Sequence, residues 1–365
     1  MQLSPIGLSL AELDTPALLL DLDALDRNIA RMAGHFRAKG VDWRPHAKAF
    51  KCPAIAHRLR RAGAIGVTVA KVSEAEVMAA GGIDDILIAH LVVGPTKAAR
   101  LAGLQRIADV KVTVDHPDQI PALDEAARRA GVTIGVLVDI NLGMNRTGVN
   151  DPDAALALAA RITDSPGLRL MGAMGYEGHT LMIEDRDVKR AAITEAIGRL
   201  IAARDRLVAA GLPCPIVSAG GTGSYQFSAD LPGLTEIQAG GGIFACRYYT
   251  QLCGVVGHEP AISIHATVVS RPAPDRAVLD IGQKSISAYR TPPVVIGHER
   301  SEVGSLSAEH TTVTLAPGDS LSIGEKVQVI PGYSDFTFVL HDRVLGYRGD
   351  MVESSWQLLG RGQLQ

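Results

Sequence analysis

A rhythm of short apolar runs and Ala/Leu/Arg-rich stretches fills the first two thirds of the chain, and it limits the fold more than any other feature. Apolar and β-branched runs at 41–48, 66–70, 85–89, 110–114, 134–140, 169–175, 215–219 and 235–238 read as strands. A first helix is expected over 23–38, and helical patterns follow at 54–62, 74–81, 96–106, 117–130, 152–163 and 187–210. Eight alternating units predict an α/β fold, a TIM-type (β/α)8 barrel with its function at the C-terminal strand ends. A doubly wound sheet is the structural alternative, because strand count does not separate the two.

The rhythm changes near residue 255. Runs at 260–273, 276–281, 311–315, 325–330, 336–341, 343–348 and 350–356 read as strands joined by Gly, Pro and Asp turns, with little helix. The expected organisation is a barrel over 23–254 and a C-terminal β domain over 255–365, to which 1–22 is added with its strand at 17–21. A chain of 365 residues is long enough to need two cores. The net charge of −3 gives no case for nucleic acid or an anionic membrane surface. No apolar run reaches the ~18 residues of a membrane span. Cys52, Cys214, Cys246 and Cys253 are scattered without a CxxC pair, so reduced thiols in a cytoplasmic protein are expected. Met1-Gln2-Leu3-Ser4-Pro5 lacks a basic segment followed by an apolar one, so no secretory signal is expected.

Five clusters carry chemistry, and each is expected at a strand end. Lys48 closes the run Trp43-Arg44-Pro45-His46-Ala47-Lys48. A partly desolvated amine can lose its proton near neutral pH and attack an aldehyde. Asp139-Ile140-Asn141-Leu142-Gly143-Met144-Asn145-Arg146-Thr147-Gly148 would hold Arg146 over the barrel mouth. Gly175-Tyr176-Glu177-Gly178-His179 joins a ring, a carboxylate and an imidazole, which suits stacking and proton transfer. Ser218-Ala219-Gly220-Gly221-Thr222-Gly223-Ser224 and Gln238-Ala239-Gly240-Gly241-Gly242 follow the last two barrel strands. Bare backbone N–H groups there can surround a phosphate with no Cβ in the way. Each cluster alone has a bland reading as a solvated loop. Together they describe a pyridoxal phosphate site.

The chain resembles the fold-type III pyridoxal phosphate enzymes, and more narrowly the group of D-threonine aldolase, D-serine dehydratase and 3-hydroxy-D-aspartate aldolase. Thr15-Pro16-Ala17, Leu20-Asp21-Leu22-Asp23, Arg44-Pro45-His46-Ala47-Lys48, Lys71-Val72-Ser73-Glu74-Ala75-Glu76, Gly143-Met144-Asn145-Arg146-Thr147-Gly148, Gly220-Gly221-Thr222-Gly223-Ser224-Tyr225 and Asp280-Ile281-Gly282-Gln283-Lys284 carry that resemblance over nearly the whole length. The resemblance implies that Lys48 bonds the cofactor and Arg146 meets its ring hydroxyl. Tyr176 and Glu177 would lie against the ring, and Thr222, Gly240 and Gly241 would hold the phosphate. His179 would take the proton of a substrate β-hydroxyl. It also implies a homodimer acting on a small amino acid.

Two positions depart from the family. Its divalent metal pair, His-x-Asp or His-x-Cys, corresponds to Tyr333-Ser334-Asp335, and its Lys-x-His-Lys corresponds to Lys48-Ala49-Phe50-Lys51. Asp335 is kept, and Tyr333 stands where the histidine would be. A neutral phenol is a poor ligand, so metal binding is expected to be weak or absent, with Tyr333 taking a polar or acid–base role. Retro-aldol cleavage of a D-3-hydroxy-α-amino acid is the leading expectation. Dehydration, racemisation, an aldol-type transfer and non-catalytic cofactor carriage are the alternatives.

Overall fold

The computed structural model describes residues 4–365 and divides into two compact units, each drawn from several segments. The first comprises 32–48, 53–240 and 362–365. The second comprises the chain up to Arg31 together with 49–52 and 241–361. No helix among the described residues is long and apolar enough to cross a membrane.

The first unit is an eight-stranded sheet in the order Asp42–Trp43, Glu236–Ile237, Ile216–Ala219, Leu168–Gly175, Ile134–Ile140, Asp109–Val114, Asp85–Leu91, Val67–Val69. Every pairing is parallel, and the two ends of the row meet in a parallel bridge between His46 and Thr68. The TIM-type barrel expected from the rhythm is therefore present, and the doubly wound alternative falls. Strands covered on both faces read as unbroken apolar runs, and Ile134–Ile140 is buried at every position. Local capping delimits the helices between strands. Asp151 accepts from the Ala154 N–H at 2.8 Å ahead of Pro152–Thr163, and Asp185 accepts from Asp187 and Val188 ahead of Arg186–Ala209.

The expected strand 41–48 is largely not one. Only Asp42–Trp43 pairs as a strand, and Ala47–Ala49 is a 3-10 turn. Pro45 has no N–H to give to a ladder, and beyond it only the His46 bridge continues the alignment. Lys48 thus sits in a turn rather than at a strand end.

A charged layer lies at the starts of several barrel strands. Arg44, 2% exposed, bonds both oxygens of Glu236 at 3.0 and 2.9 Å and reaches Asp85 at 2.6 Å. Lys111 adds contacts to Asp85 at 2.8 Å and Asp109 at 2.9 Å. Buried charges persist only when paired this closely, which is why these ions occur together.

The second unit is built mainly of strands. Ile262–Ala273 pairs antiparallel with Ala17–Asp21, Arg276–Leu279 and Lys326–Ile330. Ala17–Asp21 also pairs parallel with Arg343–Arg348, which pairs with Met351–Gln357. Leu13, Leu19, Leu345 and Val352 form a core cluster beneath this sheet. Two strands, Val294–Val295 and Glu302–Leu306, were not expected. The strand expected at 336–341 is instead the end of a short helix, Ser334–Phe338. Thr337 closes that turn, with both its N–H and its hydroxyl donating to the Tyr333 carbonyl. Over so few residues the Phe-Thr-Phe alternation fits one helical turn as well as a strand.

Candidate active site

The C-terminal ends of the barrel strands bring the first group of residues together. Lys48 is half-buried, and its backbone N–H points to His46 Nδ1 at 3.4 Å. Its side-chain amine has no hydrogen bond or ion pair among the described residues. The loop after Ile134–Ile140 folds back on itself as a bridge between Ile140 and Val149. Asn141 Oδ1 accepts the N–H groups of Gly143 and Asn145, both at 3.0 Å, and so shapes the turn that carries Arg146. The Arg146 guanidinium stands 5.5 Å from the centre of the Tyr176 ring. Tyr176 in turn lies along the next loop, since a Cβ on Gly221 would come within 2.9 Å of its ring.

Two carboxylates that the sequence reading left without a role hold this loop. Asp139 accepts the Thr147 hydroxyl at 2.8 Å, and Asp115 accepts the Gly148 N–H at 2.9 Å. Burial pushes the Asp139 carboxyl up to about 6, with Asp115 adding to the rise and the Thr147 bond opposing it. Burial, then Lys71, Arg146 and Lys97, hold the His90 imidazole below its usual range.

Glu177 has a different setting from the one expected for it. It is fully buried, accepting Ser228 Oγ at 2.8 Å and the Gly220 N–H at 3.2 Å. It braces the glycine loop from below. Gln238 braces the neighbouring strand through Ser218 at 2.9 Å. Ser218 and Gln238 open the two glycine-rich runs but were given no role there, and Ser228 lies outside any motif, so only the fold shows these contacts. His179 is exposed and lies over Gly143, whose Cβ would be 3.1 Å from its Nε2. Thr222 and Gly240 are buried, and a Cβ on Gly240 would fall 2.3 Å from the His46 carbonyl. Only glycine permits so close a backbone approach. Two loops bare of side chains, a half-buried amine and a ring beside a guanidinium form a set that fits pyridoxal phosphate.

The second unit holds Gly241, Tyr333 and Asp335. Tyr333 donates its hydroxyl to Asp335 Oδ2 at 2.9 Å. Tyr249 and Ser334 bring hydroxyls to Oδ1 at 3.5 and 3.4 Å. Burial, and after it Asp335, hold the Tyr249 phenol well above its usual range, so it stays protonated. Burial pushes the Cys246 thiol, which bonds with Ser334, up to about 11. No group of three His, Cys, Asp or Glu side chains able to hold a metal occurs among the described residues. Ser334 occupies the variable position of the Tyr333-Ser334-Asp335 run, and Tyr249 has no local mark at all, so neither contact could be read from sequence.

Comparison with known proteins agrees with this geometry. Residues 20–247 match the alanine racemase N-terminal domain, and 261–347 match a putative serine dehydratase domain. The chain belongs to the alanine racemase-type, fold-type III pyridoxal phosphate family. Within that family it is 38% identical to the D-threonine aldolase of Arthrobacter sp, over 98% of this chain and 95% of the relative. The crystal structure of the D-threonine aldolase from Filomicrobium marinum superposes with a TM-score of 0.96 at 38% identity, covering 99% and 100% of the two chains. A D-threo-3-hydroxyaspartate dehydratase, described as a cysteine-to-alanine variant in the metal-free form, gives 0.87 at 29% identity, covering 96% and 98%.

Proposed function

We propose that this chain is a pyridoxal phosphate-dependent lyase that cleaves the Cα–Cβ bond of a D-3-hydroxy-α-amino acid, giving an aldehyde and a smaller amino acid such as glycine. The end-to-end match with D-threonine aldolases carries the reading. When bound, the cofactor supplies an electron sink for the charge left at Cα. The Lys48 amine would hold it covalently. The backbone of the loops at Gly220–Ser224 and at Gly240 and Gly241, with Thr222, would hold its phosphate. Arg146 and Tyr176 would fix its ring, and Glu177 would keep the glycine loop in place.

Cleavage needs a base for the β-hydroxyl proton as the aldehyde C=O forms and the bonding pair passes to Cα. His179 is assigned that base. Cα then takes a proton to give glycine. Tyr333 is assigned the polar or acid–base role that its position in the metal motif suggests. The resident divalent metal of such a motif does not fit the donors found here. The assembly consistent with the resemblance is a homodimer, measurable as twice the chain mass by light scattering.

The test is aldehyde and glycine release from D-threonine and its D-3-hydroxy relatives, with L-threonine as control. Stereospecific release is expected, falling about 10²–10⁴-fold in His179→Ala. Release of a 2-oxo acid and ammonia would mean a dehydratase. Interconversion of alanine enantiomers would mean a racemase. Cofactor bound without any turnover would mean a carrier.

A further inference from the structure

We infer that Asp335 with Tyr333, Tyr249 and Ser334 forms a hydrogen-bonded carboxylate site that replaces a metal centre, so that this protein works without a divalent cation and Tyr333 is the residue that keeps the cation out. The chemistry of the donors carries the inference. Asp335 is 6% exposed, and the polar side-chain atoms that reach its carboxyl are hydroxyls. The firm bond is the one from Tyr333, at 2.9 Å to Oδ2. The longer approaches of Tyr249 and Ser334, at 3.5 and 3.4 Å, fall on Oδ1. Hydroxyls thus approach both carboxylate oxygens.

A divalent ion would have to displace these donors. It would find one carboxylate and neutral hydroxyls, a set that does not offset the loss of its water shell. Tyr333 cannot simply swing aside. Its ring is packed against Tyr248 at 4.8 Å, Phe336 at 4.9 Å, Tyr289 at 5.7 Å and Tyr249 at 5.8 Å between centroids. Those contacts keep the phenol aimed at Asp335. The arrangement has a corollary. The carboxylate is already in place two residues further on, so an imidazole at 333 would complete a His-x-Asp pair.

Cation independence of turnover rests on the aldolase reading above, whereas cation binding does not, and the experiment separates the two. The cofactor-loaded protein and its Tyr333→His, Tyr333→Phe and Tyr333→His/Asp335→Asn variants are stripped with chelator. They are then titrated with manganese by calorimetry and elemental analysis. Cofactor absorbance and melting temperature identify the variants that have folded. Wild type and Tyr333→Phe should retain no manganese. Tyr333→His should gain stoichiometric manganese, and the double variant should lose it again. Aldehyde release by wild type should be unchanged by chelator. Stoichiometric metal in wild type that disappears in Asp335→Asn would overturn the inference. So would a folded Tyr333→His that takes up none, or wild-type activity that chelator abolishes and manganese restores. If no substrate is cleaved at all, the aldolase reading fails while the metal titration still decides this one.

Discussion

Asp139 illustrates how a single residue acquires a property that its neighbours in sequence do not give it. Buried at the end of Ile134–Ile140, with Asp115 nearby, its carboxyl titrates near pH 6 instead of in the ordinary Asp range. The folded protein therefore holds this proton more tightly than the unfolded chain does. Stability linked to Asp139 is complete below the unfolded value near 4, is lost as pH rises to about 6, and is level above that. A two-unit rise corresponds to at most about 3 kcal/mol. The difference in unfolding free energy between Asp139→Asn and wild type should shift in favour of the variant by up to that amount between pH 4 and 7. Denaturant unfolding across that range measures it, and a flat difference would refute the assignment. The Asp139 carboxylate also orients Thr147 in the loop that bears Arg146, so the same titration bears on the candidate site.

At the scale of elements, the charged layer of the barrel should be the part least tolerant of partial removal. Glu236→Gln leaves the Arg44 charge buried, with one neutral partner and the partly exposed Asp85. A loss of about 3–5 kcal/mol is expected, read as a lower denaturation midpoint at unchanged m-value. Replacing Arg44 and Glu236 together by apolar residues should cost far less than either change alone. Elements also differ in how legible they were. Long apolar runs such as 134–140 and the capped helix at 152–163 agree with the structure to the residue, because burial and capping act within a few positions. Two short segments do not agree. Pro45 ends the strand expected at 41–48 early, and Ser334–Phe338 closes as a helical turn where alternation suggested a strand. The candidate site was partly legible for the same reason. Glycine loops and Lys48 announce themselves locally, whereas the braces behind them do not.

At the scale of the whole molecule, the second unit is assembled from distant parts of the chain. Its strand Ala17–Asp21 lies between Ile262–Ala273 and Arg343–Arg348, and Leu18, Leu19 and Leu20 are almost wholly buried. Deleting residues up to Asp21 exposes two strand edges in the middle of a sheet. Such a deletion should yield insoluble protein or one without a cooperative melt. A truncated chain that melts like the full one would show that this strand is dispensable.

The sequence by itself determined the alternation that closes a barrel, the change to a strand-rich segment, the bare loops after the last two barrel strands, and the Tyr333 departure with Asp335 retained. Each of these is written in windows of a few residues, where periodicity and the absence of a Cβ act directly. Tertiary structure alone decided that Glu177 braces a loop through a serine 51 residues away. It also decided that Tyr249 approaches Asp335 across 86 residues, and that Arg44 is neutralised by a carboxylate 192 residues on. Pairing of buried polar groups depends on which side chains folding brings within hydrogen-bond distance, and no local pattern encodes that distance.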